Sequence, residues 1–179
     1  KYTESAIIDV ATNSPYFQNG QYFLDPSDNK SREYILNIAV EACLLGFDEI
    51  QFDYIRYPDT SYQGLIYDEK SSFENRTNNI NSFLQNATDI LHDIGCLTSA
   101  DIFGYVLNAK NDNGIGQYLE TIVNTVDFIS PMVYPSHYSK GSFGYNNPNN
   151  FPYEVVTAAL AAGLARGVEE HSLRPFLQG

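Results

Sequence analysis

Apolar residues along the chain fall into short blocks and into longer stretches where they recur every three or four positions. The blocks predict strands over Ser5–Val10, Glu49–Arg56, Leu97–Phe103, Phe128–Tyr134 and Leu173–Gly179. The longer stretches predict helices. One carries Ile35, Ile38, Ala42 and Leu45 and stops at Gly46. A second runs from about Asp68, with Ile80, Leu84, Ala87, Leu91 and Ile94 on one face and Gly95 closing it. Ile115, Leu119, Ile122 and Val126 mark a third. Pro152 opens a fourth, continued by Val155, Val156, Ala159, Leu160 and Leu164. Strands alternating with helices imply an α/β fold with a parallel sheet. A closed (β/α)8 barrel needs eight of each over about 250 residues. About five parallel strands with flanking helices therefore suggest a partial TIM barrel, a single domain over residues 1–179 that is truncated at both ends. Gly114-Ile115-Gly116 follows no strand directly and lacks the third glycine of a dinucleotide turn.

Composition narrows the function. With 22 acidic against 10 basic residues and a net charge of -12, the chain would on average repel phosphate backbones and anionic membranes, so no nucleic-acid partner is expected. No apolar run reaches the about 18 residues of a transmembrane helix, and the first residues lack a signal-peptide core. Cys43 and Cys96 match no metal spacing and read as two buried thiols, with a disulfide left open if the protein is exported. His92, His137 and His171 lie too far apart to form a metal motif, so neither metal nor cofactor is expected. Gly-x-Ser-x-Gly is absent, and no Cys/His nucleophile pair offers itself.

Strand alternation points to carboxylate chemistry. Gln51 and Asp53 share one face of their strand, and Ser99 and Asp101 share one face of the next. Barrel enzymes place catalytic groups at the C-terminal ends of strands. Neighbouring parallel strands lie about 4.8 Å apart, within reach of the carboxylate spacings used in glycoside hydrolysis. Asp53 and Asp101 are the candidate catalytic pair, with the roles of acid and nucleophile left open. Gln51, Tyr134, His137 and Tyr138 could bind substrate, Arg56 could lower the pKa of its neighbouring acid, and Arg174 and Gln178 of the last strand are further binding candidates.

The segment Phe47-Asp48-Glu49-Ile50-Gln51-Phe52-Asp53-Tyr54-Ile55-Arg56-Tyr57-Pro58 resembles the hallmark of a bacterial family of glycoside-hydrolase-like proteins long catalogued as a domain of unknown function. Ser99–Gly104, Ile129–Tyr138, Pro152-Tyr153 and Leu173–Gln178 resemble that family's later motifs in the same order. The resemblance implies a TIM barrel similar to α-amylase-like and chitinase-like glycosidases, exported or cell-surface associated, with a polysaccharide or glycan as substrate. The chitinase pattern ends in a catalytic Glu, but here Gln51 replaces one acid and Ile55 stands near the Glu position, which argues against chitinase chemistry. An amylase-like arrangement would put the nucleophile at Asp53 and the acid on the following strand, where Asp101 stands in place of the usual Glu. Two functions follow: a glycoside hydrolase using paired carboxylates, or a non-catalytic barrel that binds carbohydrate or cell wall through the aromatic loops around Tyr16, Phe17, Tyr22 and Tyr62.

Overall fold

A computed structural model describes residues 3–178. Its first strands are short and local. β1 (Ile8–Asp9) pairs antiparallel with β2 (Ser14–Pro15), and β3 (Phe17–Gln18) pairs antiparallel with β4 (Gln21–Tyr22). Asn19 and Gly20 both have positive φ, 52° and 83°, as a two-residue hairpin turn of the primed kind requires. The expected strand Ser5–Val10 is thus no barrel strand. Its Asn- and Pro-rich continuation doubles back at once, before any crossover helix could carry it to a parallel neighbour.

α1 (Asn29–Leu44) starts where the Asp28 carboxylate accepts the backbone N–H groups of Lys30 and Ser31. Gly46, at φ +102°, lets the chain leave the helix. β5 (Glu49–Phe52) follows, then β6 (Leu65–Ile66), which pairs with β1. α2 (Phe73–Asp93) is capped by the Ser72 hydroxyl and leads into β7 (Leu97–Phe103). α3 (Leu119–Ile122) is a single turn, shorter than the spacing of Ile115 to Val126 suggested. Gly116, at φ +81°, prevents the helix from reaching back to Ile115. That glycine is required: a Cβ there would run into Ile80, Tyr57 and the Arg76 carbonyl. β8 (Phe128–Val133), α4 (Pro152–Ala165, with proline in its first turn) and β9 (Phe176–Leu177) complete the order. The last strand is shorter than Leu173–Gly179, joined upstream by one bridge from Leu173 to Ile129, and Gly179 lies outside the described residues.

β5, β7, β8 and β9 form one parallel sheet in that order, curled into a half-barrel. Alternation sorts its faces. Phe52, Ala100, Ile102, Ile129 and Val133 join the buried core with Leu84, Ala87 and Leu91 of α2 and Ala159 of α4. Burying such side chains contributes about 1.5–3 kcal/mol for each large one. The opposite face carries Gln51, Asp101 and Ser130, which bond to one another. At the N-terminal end of the strands, Cys43 of α1 and Cys96 ahead of β7 form a disulfide, with Cα atoms 6.1 Å apart. The reading of two buried thiols is therefore corrected; helical periodicity placed Cys43 inward, but only the packing of α1 beside the start of β7 brings the sulfurs together. Among the described residues no helix is long and apolar enough to cross a membrane.

Candidate active site

The inward face of the half-barrel gathers polar groups that the sequence scatters over 80 positions. Parallel register sets Gln51 opposite Ser99 and Phe52 opposite Ala100; the strand ends there, shorter than the expected Glu49–Arg56, and Asp53 lies just past its tip, near enough for its charge to act on Asp101. Asp101 is 7% exposed, and Gln51 donates one amide hydrogen to its Oδ1 and another to the Ser130 hydroxyl, 3.1 Å away. Burial raises the Asp101 carboxyl above the ordinary carboxylate range; the Gln51 amide pulls it partway back, and the negative charge of Asp53 adds to the rise. Asp53 itself is exposed, its Oδ1 accepting the Tyr54 N–H at 2.6 Å.

The chain is bent sharply just past Asp53. Tyr54 has φ +54°, a conformation that is an outlier for a bulky side chain, and its ring is 56% exposed. Arg56 folds back beside it, its guanidinium 5.3 Å from the Tyr54 ring centre and 4.9 Å from that of Phe103, while donating to the Tyr57 carbonyl at 3.0 Å. Two aromatic faces and a carbonyl thus hold its guanidinium in place.

One residue invisible in the sequence holds the two strand tips in register. Gln117 is fully buried; its amide nitrogen donates to the carbonyls of Ile55 at 3.2 Å and Asp101 at 3.0 Å, and its oxygen accepts the Phe103 N–H at 2.9 Å. Polar residues between Ile115 and Leu119 gave no sign of this. Ser130, which the sequence pattern also did not single out, stands opposite Asp101 in the register of β7 and β8 and so shares its face. The loop bearing Gln117 is anchored by Asp112, whose carboxylate takes Arg76 Nε at 2.7 Å and Nη2 at 2.9 Å and also the Gly116 N–H. Burial alone would raise the Asp112 carboxyl, but these donors outweigh it and hold it low.

The remaining candidates form two groups. Tyr134, His137, Tyr138 and Gln178 cluster where β8 and β9 end. The Tyr134 and His137 rings meet edge-on at 5.2 Å, and the Gln178 amide oxygen accepts both the N–H and hydroxyl of Ser136. Burial pushes the Tyr138 phenol up to about 12, and its hydroxyl has no hydrogen-bond partner among the described residues. It lies over Gly104, where a Cβ would collide with it. Arg174 is not in this company. It sits at the opposite end of the sheet, bonded to Glu49 Oε2 at 2.7 Å and stacked over Phe128 at 3.2 Å. Gln51 is thus bonded to Asp101 and Asp53 lies within electrostatic reach of it, Arg56 packs on Tyr54 and Phe103, a second set gathers where β8 and β9 end, and Arg174 spans the barrel floor.

Comparison with known proteins agrees with this architecture. No curated protein matches the chain. Among solved structures it is similar to the spore cortex-lytic enzyme SleL of Bacillus megaterium (TM-score 0.59, 16% identity, 89% of this chain and 33% of that one). It is also similar to the putative sporulation-specific glycosylase YdhD of Bacillus subtilis (0.56, 16%, 84% and 43%). A Group IV chitinase of Ostrinia furnacalis solved with allosamidin is a third (0.54, 15%, 84% and 40%). At these identities the likeness is one of fold, and the chain spans less than half the length of each. A family model described as "Putative glycosyl hydrolase domain" matches residues 1–179, and the chain belongs to that glycosyl hydrolase-like family.

Proposed function

We propose that this chain forms the catalytic face of an O-glycosyl hydrolase acting on a polysaccharide or cell-surface glycan, with Asp101 as general acid and Asp53 as nucleophile. The observation that carries the reading is the unequal environment of two carboxylates on adjacent strands. Asp101 is buried and its carboxyl is raised, so it retains its proton to higher pH; Asp53 faces solvent. A raised carboxyl can protonate the departing glycosidic oxygen, and an exposed carboxylate can attack the anomeric carbon. Adjacent strand tips, about 4.8 Å apart, suit the short carboxyl separation of retaining enzymes, about 5–5.5 Å, better than the wider inverting gap. Gln51 positions Asp101, while Tyr134, His137, Tyr138 and Gln178 offer hydrogen-bonding groups along the other side of the mouth. The disulfide supports a protein made for an oxidising compartment, outside the cytosol.

The test is a glycan screen of the intact protein beside Asp53→Asn and Asp101→Asn. Each variant is expected to lose at least about 100-fold in turnover. Proton NMR of the first-formed product should show retained anomeric configuration. Wild-type turnover in both variants would overturn the assignment. Binding without hydrolysis by the wild type would favour a carbohydrate-binding barrel, a reading supported by the exposed pair Phe17 and Tyr22, whose rings lie 4.9 Å apart.

A further inference from the structure

A cavity of about 440 Å³ opens between the β3–β4 hairpin, the first turn of α1, the middle of α2 and the tip of β5. Its apolar lining is Phe52, Ile35, Ile80 and Phe83 from the core side of the sheet, Tyr22 stands exposed at its edge, and Asp53, Arg32 and Arg56 are among its lining residues. The volume is that of a small-molecule site.

The arginines carry the argument. The chain has an excess of acids, and three of its five arginines, Arg76, Arg166 and Arg174, bond carboxylates directly. The two without a carboxylate in bonding distance among the described residues, Arg32 and Arg56, line this same cavity. Arg32 spends its donors on neutral acceptors: Nε on the Pro26 carbonyl at 2.6 Å, Nη2 on Asn79 Oδ1, and Nη1 on the Ser82 hydroxyl at 3.5 Å. Among the described residues Arg56 bonds the Tyr57 carbonyl and packs on the Tyr54 and Phe103 rings. The one buried acid at the cavity wall, Asp25, is already committed. Its Oδ1 takes the N–H and hydroxyl of Ser27, and its Oδ2 takes the Asp68 N–H at 2.7 Å. Guanidinium groups held in place by neutral partners keep their charge available for an incoming anion.

We infer that this cavity is a subsite for a sugar residue bearing a carboxylate, with Arg32 and Arg56 taking the acid group and Tyr22 stacking on the ring. An apolar floor with an aromatic rim fits the C–H face of a pyranose, and the two positive charges offset the repulsion between a ligand carboxylate and Asp53. The cavity lining includes Asp53 but not Asp101, and the inference rests on the hydrolase reading only for relating this sugar to Asp53 as nucleophile.

The experiment measures binding to the intact protein, by saturation-transfer NMR and calorimetry at low salt, of short uronic-acid-containing oligosaccharides and of the same oligosaccharides after carboxyl reduction to alcohols. The carboxylated form is expected to bind about tenfold more tightly or better, a difference of about 1.4 kcal/mol. Arg32→Gln and Arg56→Gln should each erase most of that preference, and Tyr22→Ala should weaken both forms alike. Arg56 serves as the second variant because Arg32 also ties α1 to α2. Equal binding of the two forms by the wild type, or a preference that survives either arginine substitution, overturns the inference. Hydrolysis of neutral and acidic glycans with equal efficiency sinks the subsite while sparing the hydrolase; a carboxylate preference without any hydrolysis keeps the subsite and sinks the hydrolase.

Discussion

Gln51 and Asp101 meet across two neighbouring strands, the amide of one donating to the carboxylate of the other and to Ser130 beyond it. The bond stabilises the charged form of an acid that burial disfavours. Removing it with Gln51→Ala is expected to raise the Asp101 pKa further, and Asp53→Asn is expected to lower it by deleting the neighbouring charge. Carboxyl-carbon NMR titration reads both. Shifts in the same direction for the two variants would contradict the electrostatic coupling.

Asp101 also makes a stability prediction with a definite sign. Its folded pKa lies above the unfolded value of about 3.9, so between those two values the native state binds more protons and stability falls as pH rises. Asp101→Asn, which carries no charge to bury, is expected to melt at a higher temperature than wild type at neutral pH. The advantage should vanish below about pH 4, where both states of the wild type hold the proton. Thermal melts across pH 3 to 8 decide it.

Gln117→Leu should destabilise the fold and disable the site together. It leaves the Phe103 N–H and the carbonyls of Ile55 and Asp101 without their partner, at about 1–3 kcal/mol for each buried group left unpaired. Urea denaturation measures the first effect. Gln117→Glu retains the acceptor for Phe103 but not the two donors, and is expected to fall in between.

Arg174→Ala should cost about 1 kcal/mol of stability, through the part-exposed pair with Glu49 and the stacking on Phe128, and should leave KM for any glycan unchanged. A raised KM would place Arg174 in contact with substrate despite its position at the barrel floor.

How far the sequence could be read depended on whether a feature was local. β7 was legible to the residue, because a strand-length run between Gly95 and Gly104, with Ser99 and Asp101 alternating with Ala100 and Ile102, admits little else. α2 was nearly so, since its buried stripe is periodic from Thr77 to Leu91, about four turns. Ser5–Val10 misled because β-rich composition does not reveal a partner, and the partners turned out to be β2 and β6. Alternation put Gln51 and Asp101 on one face, as their bond shows, whereas the early end of β5 at Phe52, ahead of Asp53, had no sign in the apolar pattern. The bridge made by Gln117, the backbone twist at Tyr54 and the pairing of Cys43 with Cys96 all depend on contacts between distant segments, which no periodicity encodes.

The disulfide has a practical meaning for the molecule's life among proteases. It closes a covalent ring over a sequence separation of 53 residues, worth about 4 kcal/mol in the chain-entropy view, and that ring encloses β5, β6 and α2. A single cut in the exposed stretch around Ser61 to Gln63 would therefore sever the backbone without parting the pieces. The segment holding Asp53 would stay fastened to the one holding Asp101, and only a reductant would let the two fragments separate.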